Sequence, residues 1–316
     1  MNILLVGEEA AGAQTLKTLL TTPHRLVAVL ASETKAAVGN WNLWTIAQKL
    51  GCTTWPAKLV KDPTFADRMR AEGIDLLLNV HSLFLINKDV VAAPRLGAFN
   101  MHPGPLPRYA GLNAPSWAIY RGEKTHGVTI HWMLAGIDTG PIAYQAMVDV
   151  TDDDTGLTVS AKCVKAGLPL VYQLLEQAAS NPAAIPKIEQ DLSKREYFGR
   201  DVPNRGFIQW DRPAREVRNF IRACDYAPFP SPWGVAKSLL GGVEIGVAKA
   251  SLTDDRCQAL PGTIGQATPD GVMVACGDEW LRVTSLRING KSVSPAEMLH
   301  AGLCLTASTM APGFRE

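Results

Sequence analysis

The first half of the chain alternates short apolar runs with stretches of helical character, and this alternation most limits its fold. "NILLVG" ends at Gly7, and a helix is expected over Ala11 to Leu20. "RLVAVLAS" follows, then a helix from Asn42 to Leu50 with Asn42 as N-cap and Gly51 just past its end. A further helix is expected from Pro63 to Glu72, capped by Asp62, before "IDLLLNV" and "LGAFNMH" resume the strand series. Strands separated by helices imply a doubly wound, mostly parallel α/β sheet of Rossmann-like type. "GVTIHWM" alternates with period two and can pair with "IAYQAMVDV" across "LAGIDTGP". A long helix is expected over Leu157 to Ala179, kinked where Gly167 and Pro169 interrupt it.

At 316 residues the chain exceeds what one core normally organises. The expected division is a catalytic domain over 1–185, a polar, proline-bearing linker over 186–205, and a smaller domain over 206–316. Short strands in the tail, such as "GVEIGVAKASL", "GVMVACG" and "WLRVTSLRI", suit a small β-rich, barrel-like domain. A net charge of +1 gives no general attraction to nucleic acid or acidic membranes. No apolar run reaches membrane-spanning length, and "MNILLVGEEAAG" lacks a signal peptide's basic start. Six scattered cysteines without CxxC pairs read as reduced thiols of a cytoplasmic protein, with no metal site expected.

The densest chemistry lies in "NMHPGPLPRYAG", residues 100–111. Asn100 and His102, two apart on an extended segment, share one face, and the Pro-Gly run beyond them stiffens the loop. Downstream, "GVTIHWMLAGIDTGPI" places Asp138 in a turn between Gly136 and Gly140. A strand-end His or a turn Asp commonly serves local hydrogen bonding. Brought together, Asn100, His102 and Asp138 would combine an amide donor, an imidazole and a carboxylate that orients it and raises its pKa. No Ser or Cys nucleophile accompanies them, so direct transfer to an incoming nucleophile is the chemistry such a set can perform.

These two motifs, in this order and spacing, resemble the formyltransferase family that uses 10-formyltetrahydrofolate. "GFIQWDRPAREVRNFIRA" resembles the start of that family's C-terminal domain, so the likeness spans nearly the whole chain. The family usually has Ser-Leu where this chain has Gly104-Pro105. The resemblance implies that a substrate amine attacks the formyl carbon carried by the folate. Asn100 and a protonated His102 would hold the oxyanion, while Asp138 orients His102 and helps remove the amine proton. It further implies folate contacts from Phe84, Leu85 and Ile86 and from Gly136, Ile137 and Thr139. Acceptor contacts would come from Arg108, Tyr109, Gly111, Asn113 and Trp41. The bare residues of "LFLI" read equally as a plain core segment.

"GEEAAG", residues 7–12, lacks the glycine pattern of a dinucleotide site, and Glu8 and Glu9 would repel a phosphate. "ASETKAAVGNWNLW", where transferases acting on methionyl-tRNA carry a basic insertion, is neutral and aromatic. The expected acceptor is therefore a small or carrier-tethered primary amine, such as an amino sugar or aminoacyl group, with nucleic acid and membrane unlikely partners. Methionyl-tRNA formyltransferase and formyltetrahydrofolate hydrolase are the alternatives. Arg215, Arg218 and Arg222 share one helix face, read first as solvated and second as a contact for an anionic arm. Oligomeric state is not legible.

Overall fold

The computed structural model describes residues 1–33, 42–82 and 84–307. They form two compact units: Met1–Ala114 with Thr125–Asp149 and Ser160–Phe198, and Pro115–Lys124 with Val150–Val159 and Gly199–Glu316.

In the first unit, β1 (Asn2–Gly7), α1 (Glu9–Leu20), β2 (Arg25–Ala31), α2 (Leu43–Lys49) and β3 (Thr54–Pro56) wind outward in one direction. After α3 (Phe65–Ala71), the chain returns to the other side of β1 with β4 (Leu76–Val80), α4 (Lys88–Val91) and β5 (Gly97–His102). The short β6 (Ala110–Gly111) follows; past α5 (Ala114–Tyr120), which from Pro115 on belongs to the second unit, the chain resumes the first with the hairpin of β7 (Thr125–Trp132) and β8 (Ile142–Asp149). The sheet order is β3-β2-β1-β4-β5-β7-β8, parallel through β5 and antiparallel beyond it. Leu4, Val6, Ala28, Leu30 and Leu77 bury one face against Phe65, Ala66 and Met69 of α3. Strands buried on both faces read as unbroken apolar runs, which is why β1, β2, β4 and β5 are plain in the sequence.

Several local expectations meet their physical test here. Asn42 caps α2, its Oδ1 accepting from Trp44 N at 2.7 Å. Asp62 does not cap α3: its Oδ1 accepts from Thr64 N and Oγ1 in a turn, and the helix starts later, at Phe65. The long helix α6 (Gly156–Ser180) is a single element with Pro169 inside it. Gly167 answers packing, since a Cβ there would come within 2.6 Å of Met101 Sδ on β5. The stretch 186–198 is tied to the first unit. Ile188 bridges Ile142, and β9 (Tyr197–Phe198) pairs with β6.

The second unit holds α7 (Ala214–Ala223) and an antiparallel sheet of β10 (Ala236–Leu240), β11 (Val243–Arg256), β12 (Ile264–Thr268), β13 (Gly271–Ala275), β14 (Glu279–Ile288), β15 (Lys291–Val293) and β16 (Leu305–Thr306). Its order is β12-β13-β14-β11-β10-β16, with β15 on β14, and the Thr263–Cys304 bridge joins the two ends into a barrel-like ring. Trp117, Tyr120, Phe220 and Trp233 pack edge to face and tilted beside it. The arginine face of α7 is engaged from within this unit. Buried Arg222 donates to the carbonyls of Thr151, Asp152 and Asp154, and Arg215 and Arg218 meet Asp152 and Asp153. Arg215 is solvated, as first read, whereas Arg222 is buried against the 151–154 carbonyls and forms part of the packing.

Among the described residues, no helix is long and apolar enough to cross a membrane, and no group of three or more His, Cys, Asp or Glu is arranged to hold a metal.

Candidate active site

β5 is central in the sheet, and its carboxyl end carries Asn100 and His102 into a crevice beside β4 and β7. In open α/β sheets, ligands bind outside the carboxyl ends of the strands, where the winding reverses. Here the reversal lies between β1 and β4, one strand away. Asn100 stands opposite His131 on β7 and beside Asn79 on β4. Asn79 Nδ2 donates to Asn100 Oδ1 at 2.8 Å, which turns the Asn100 amino group toward Asp138 Oδ1 at 3.2 Å.

Asp138 sits at φ +53° in the loop after β7, and its side chain is buried. Oδ2 accepts from Gly111 N at 2.8 Å and lies 3.5 Å from His102 Nδ1; Oδ1 lies 3.2 Å from His131 Nε2. Gly111 is required there: its φ is +92°, and a Cβ would fall 2.2 Å from Phe198 O. Gln190 Nε2 donates to the carbonyls of Asp138 and Gly140, and an Arg195 guanidinium N–H donates to Ile137 O. Burial alone would push the Asp138 carboxyl up. His102 first, then His131 and the Gly111 N–H, override it and hold the group far below the usual carboxylate range.

His102 is buried, and its Nε2 lies 2.6 Å from Tyr109 O. A carbonyl can only accept, so Nε2 carries the proton. Burial lowers the imidazole's pKa more than Asp138 and the Tyr109 carbonyl raise it. Asp138 raises the His102 pKa as expected, against the larger effect of burial. The Gly104 departure has a direct consequence here. A Cβ at Gly104 would lie 2.7 Å from both His102 Nε2 and Tyr109 O, so only glycine lets the carbonyl reach the ring. The backbone of Gly104 is itself pinned, its carbonyl accepting from Thr129 Oγ1 at 2.7 Å.

The other expected residues divide. The Tyr109 ring is buried, stacked on Phe198 and edge-on to His126, so it cannot meet an acceptor; its carbonyl acts instead. Arg108 extends to Glu196 at 3.4 Å. Asn113 is half-buried at φ +57°, and Trp41 lies outside the described residues. Phe84 and Ile86 pack against the core, whereas Leu85 is 71% exposed. Thr139 folds back on Gly136, where a Cβ would touch its hydroxyl at 2.4 Å. A cavity of about 340 Å³ is walled by Val91, Ala98, Trp132, Met133 and Leu134, and Lys88 and Arg95 also line it.

Asn79 and His131 were missed in the sequence. Each is a polar residue within an apolar strand, in register with Asn100. His131 bridges the set, with Nδ1 at 2.8 Å from Trp132 O and Nε2 at 3.1 Å from Asn100 Nδ2.

Residues 3–174 match the family described as formyl transferase, and residues 202–303 match its C-terminal domain. Methionyl-tRNA formyltransferase of Pseudomonas syringae pv. syringae is 30% identical over 92% of this chain and 91% of that protein. Its counterpart in Pseudomonas syringae pv. tomato is 31% identical over the same shares. In fold, the chain is similar to an N-formyltransferase from Helicobacter canadensis in complex with folinic acid and dTDP-3-aminofucose. The TM-score is 0.67 at 18% identity, over 89% of this chain and 98% of that one. It is also similar to HypX from Aquifex aeolicus in complex with tetrahydrofolic acid, with a TM-score of 0.66 at 17% identity, over 93% of this chain and 46% of that one.

Proposed function

Because the chain belongs to the formyl transferase family, we propose that it moves a formyl group from 10-formyltetrahydrofolate to the primary amine of a small or carrier-tethered acceptor. The observation that carries this reading is the convergence of Asn100, His102 and Asp138 at the carboxyl end of β5. The 340 Å³ cavity fits the donor: its walls are apolar and its size suits a pterin-sized ring. Val91, Ala98 and Met133 would wall that ring. Leu85, Leu134 and Ile137 stand 71%, 55% and 38% exposed around it, apolar surface that a bound folate would cover.

In the reaction, the acceptor nitrogen attacks the formyl carbon and charge develops on the formyl oxygen. Asn100, its amide orientation fixed by Asn79, donates toward that oxygen. His102 carries a second N–H for the same purpose once Nε2 leaves the Tyr109 carbonyl. Asp138 stays ionised and stabilises whatever positive charge His102 gains. Asp138 lies 3.5 Å from His102 Nδ1, so it can orient the ring and help remove the amine proton.

Two features support a small acceptor. The loop after β1 presents Glu8 and Glu9 rather than a phosphate cradle, and Arg222 of α7 is already engaged by the carbonyls of Thr151, Asp152 and Asp154. The curated relatives, at 30% and 31% identity, favour methionyl-tRNA as the second reading. A panel of amino sugars, aminoacyl carriers, free amines and initiator methionyl-tRNA, scored by tetrahydrofolate release, separates them. Efficient use of methionyl-tRNA alone would replace the small-acceptor reading, and equal release with no amine present would favour hydrolysis.

A further inference from the structure

Asp138 sits in a loop that does not fix its own shape. Residues 133–141 join β7 to β8 without regular structure, and within them Asp138 holds a left-handed φ of +53°. Such a conformation is disfavoured for any residue but glycine and persists only where the surroundings impose it. Leu134 and Ile137, on the same loop, stand 55% and 38% exposed, so apolar packing does not impose it. The constraint comes instead from 186–198, the polar stretch that the sequence presents as a linker.

That segment is anchored at both ends. Trp132 Nε1 donates to Pro186 O at 2.8 Å, and Ile188 exchanges backbone bonds with Ile142 at 2.8 and 3.0 Å. At the far end, β9 pairs with β6. Between these anchors, Gln190 Nε2 donates to Asp138 O at 2.9 Å and to Gly140 O at 2.6 Å, and Arg195 donates to Ile137 O at 3.0 Å. Two carbonyls can only accept, so the Gln190 amino group must face them. Its Oε1 is then buried with no hydrogen-bond partner among the described residues. A buried acceptor left unpaired is unfavourable, so the two bonds to the loop decide how this side chain is turned.

The same segment fixes the donor on the other side of the Asp138 carboxylate. Ala110 N donates to Glu196 O at 2.9 Å and Leu112 N to Phe198 O at 2.8 Å. These bonds bracket Gly111, whose N–H donates to Asp138 Oδ2 at 2.8 Å. The backbone that carries the carboxylate and the N–H that holds it therefore hang from one stretch of chain. The 3.5 Å separation of Asp138 Oδ2 from His102 Nδ1 depends on both.

We propose that Gln190 is a positioning residue for formyl transfer, bridging the Asp138 and Gly140 carbonyls so that the Asp138 carboxylate stays between Gly111 and His102. The proposal rests on the formyl-transfer reading. Gln190 touches neither donor nor acceptor in this role and acts only through Asp138. A misplacement of about 1 Å in a reacting set costs on the order of 10²-fold in rate, which sets the size of the expected effect.

The test compares the full chain with Gln190→Met, which keeps the length and removes both donors, and Gln190→Glu, which keeps the shape and turns an acceptor toward the two carbonyls. Turnover is measured with 10-formyltetrahydrofolate and an amine accepted by the wild type. Each variant should lower kcat by on the order of 10²-fold, with a far smaller loss of affinity for 5-formyltetrahydrofolate. In an Asp138→Asn background the same substitutions should cost no more than a few-fold, because their effect runs through Asp138. The Gly111 amide signal in NMR should move in both single variants, since Gly111 bonds the displaced carboxylate. Losses that multiply in full in the double variants would mark a merely structural role and overturn the assignment. A kcat within a few-fold of wild type in the folded single variants, or an unmoved Gly111 signal, would also overturn it. Should Gln190→Met fail to fold, Gln190→Glu supplies the same readings. Should the wild type transfer to no amine, the formyl-transfer reading itself fails, and the Gly111 signal alone then judges the placement of Asp138 by Gln190: moved, it supports it; unmoved, it refutes it.

Discussion

Gly104→Ala probes the contact that distinguishes this site from the family pattern. Gly104 has no left-handed φ, so alanine meets no backbone strain there, and the effect isolates one steric event. The new Cβ would lie 2.7 Å from His102 Nε2 and from Tyr109 O, well inside contact distance. Neither the Gly104 carbonyl, held by Thr129 Oγ1, nor the Tyr109 backbone, at φ +58° above a buried ring, can retreat cheaply. The 2.6 Å contact from His102 to Tyr109 O must therefore open. Overpacking of a dense interior costs about 1–3 kcal/mol and a lost buried hydrogen bond about 1–3 kcal/mol, so the destabilisation should be about 2–6 kcal/mol. Urea denaturation measures it, with Gly199→Ala as reference, because Gly199 also has an ordinary φ and nothing within 4 Å of its added Cβ. The His102 ring signals in NMR should move in Gly104→Ala and stay fixed in the reference. Equal stability of the two variants with unmoved His102 signals would refute the reasoning.

Asp138→Asn should lower turnover by on the order of 10²–10⁴ while folate affinity, read by fluorescence, stays within a few-fold. Arg222→Ala, which strands three carbonyls of the 151–154 loop, should cost about 2–4 kcal/mol in denaturation; exposed Arg215→Ala should cost less than about 1 kcal/mol. His102 has a lowered pKa in the fold, so the unfolded chain binds its proton first as pH falls. Its contribution to stability is complete above about pH 6.5 and is lost as pH drops from there through the folded pKa. Stability measured from pH 7.5 to 5 should fall more steeply in wild type than in His102→Gln.

The parallel sheet was legible because each of its central strands is buried on both faces and therefore reads as an apolar run. The catalytic candidates were legible because Asn100, His102 and Asp138 interrupt such runs or sit in glycine-flanked turns. What a single sequence could not display was register. Asn79 in "LLLNV" and His131 in "TIHW" look like isolated polar residues until β4 and β7 set them on either side of Asn100. Tyr109 shows the converse. Its place in the motif suggested a ligand contact, yet its ring serves the core and its carbonyl serves His102. The burial of Arg222 on α7 was not legible because the carbonyls that hold it, in the 151–154 loop, lie some seventy residues earlier in the chain and join it only through the fold.

The central claim is direct formyl transfer at the Asn100, His102 and Asp138 set. It is tested most directly with 10-formyltetrahydrofolate labelled with carbon-13 in the formyl group and the amine panel above, following the label by NMR in wild type and in folded His102→Ala. The account predicts that wild type moves the label from folate to an N-formyl product with matching release of tetrahydrofolate, and that His102→Ala leaves the label on the folate. Label appearing as free formate in wild type, or transfer at undiminished rate in His102→Ala, would contradict it.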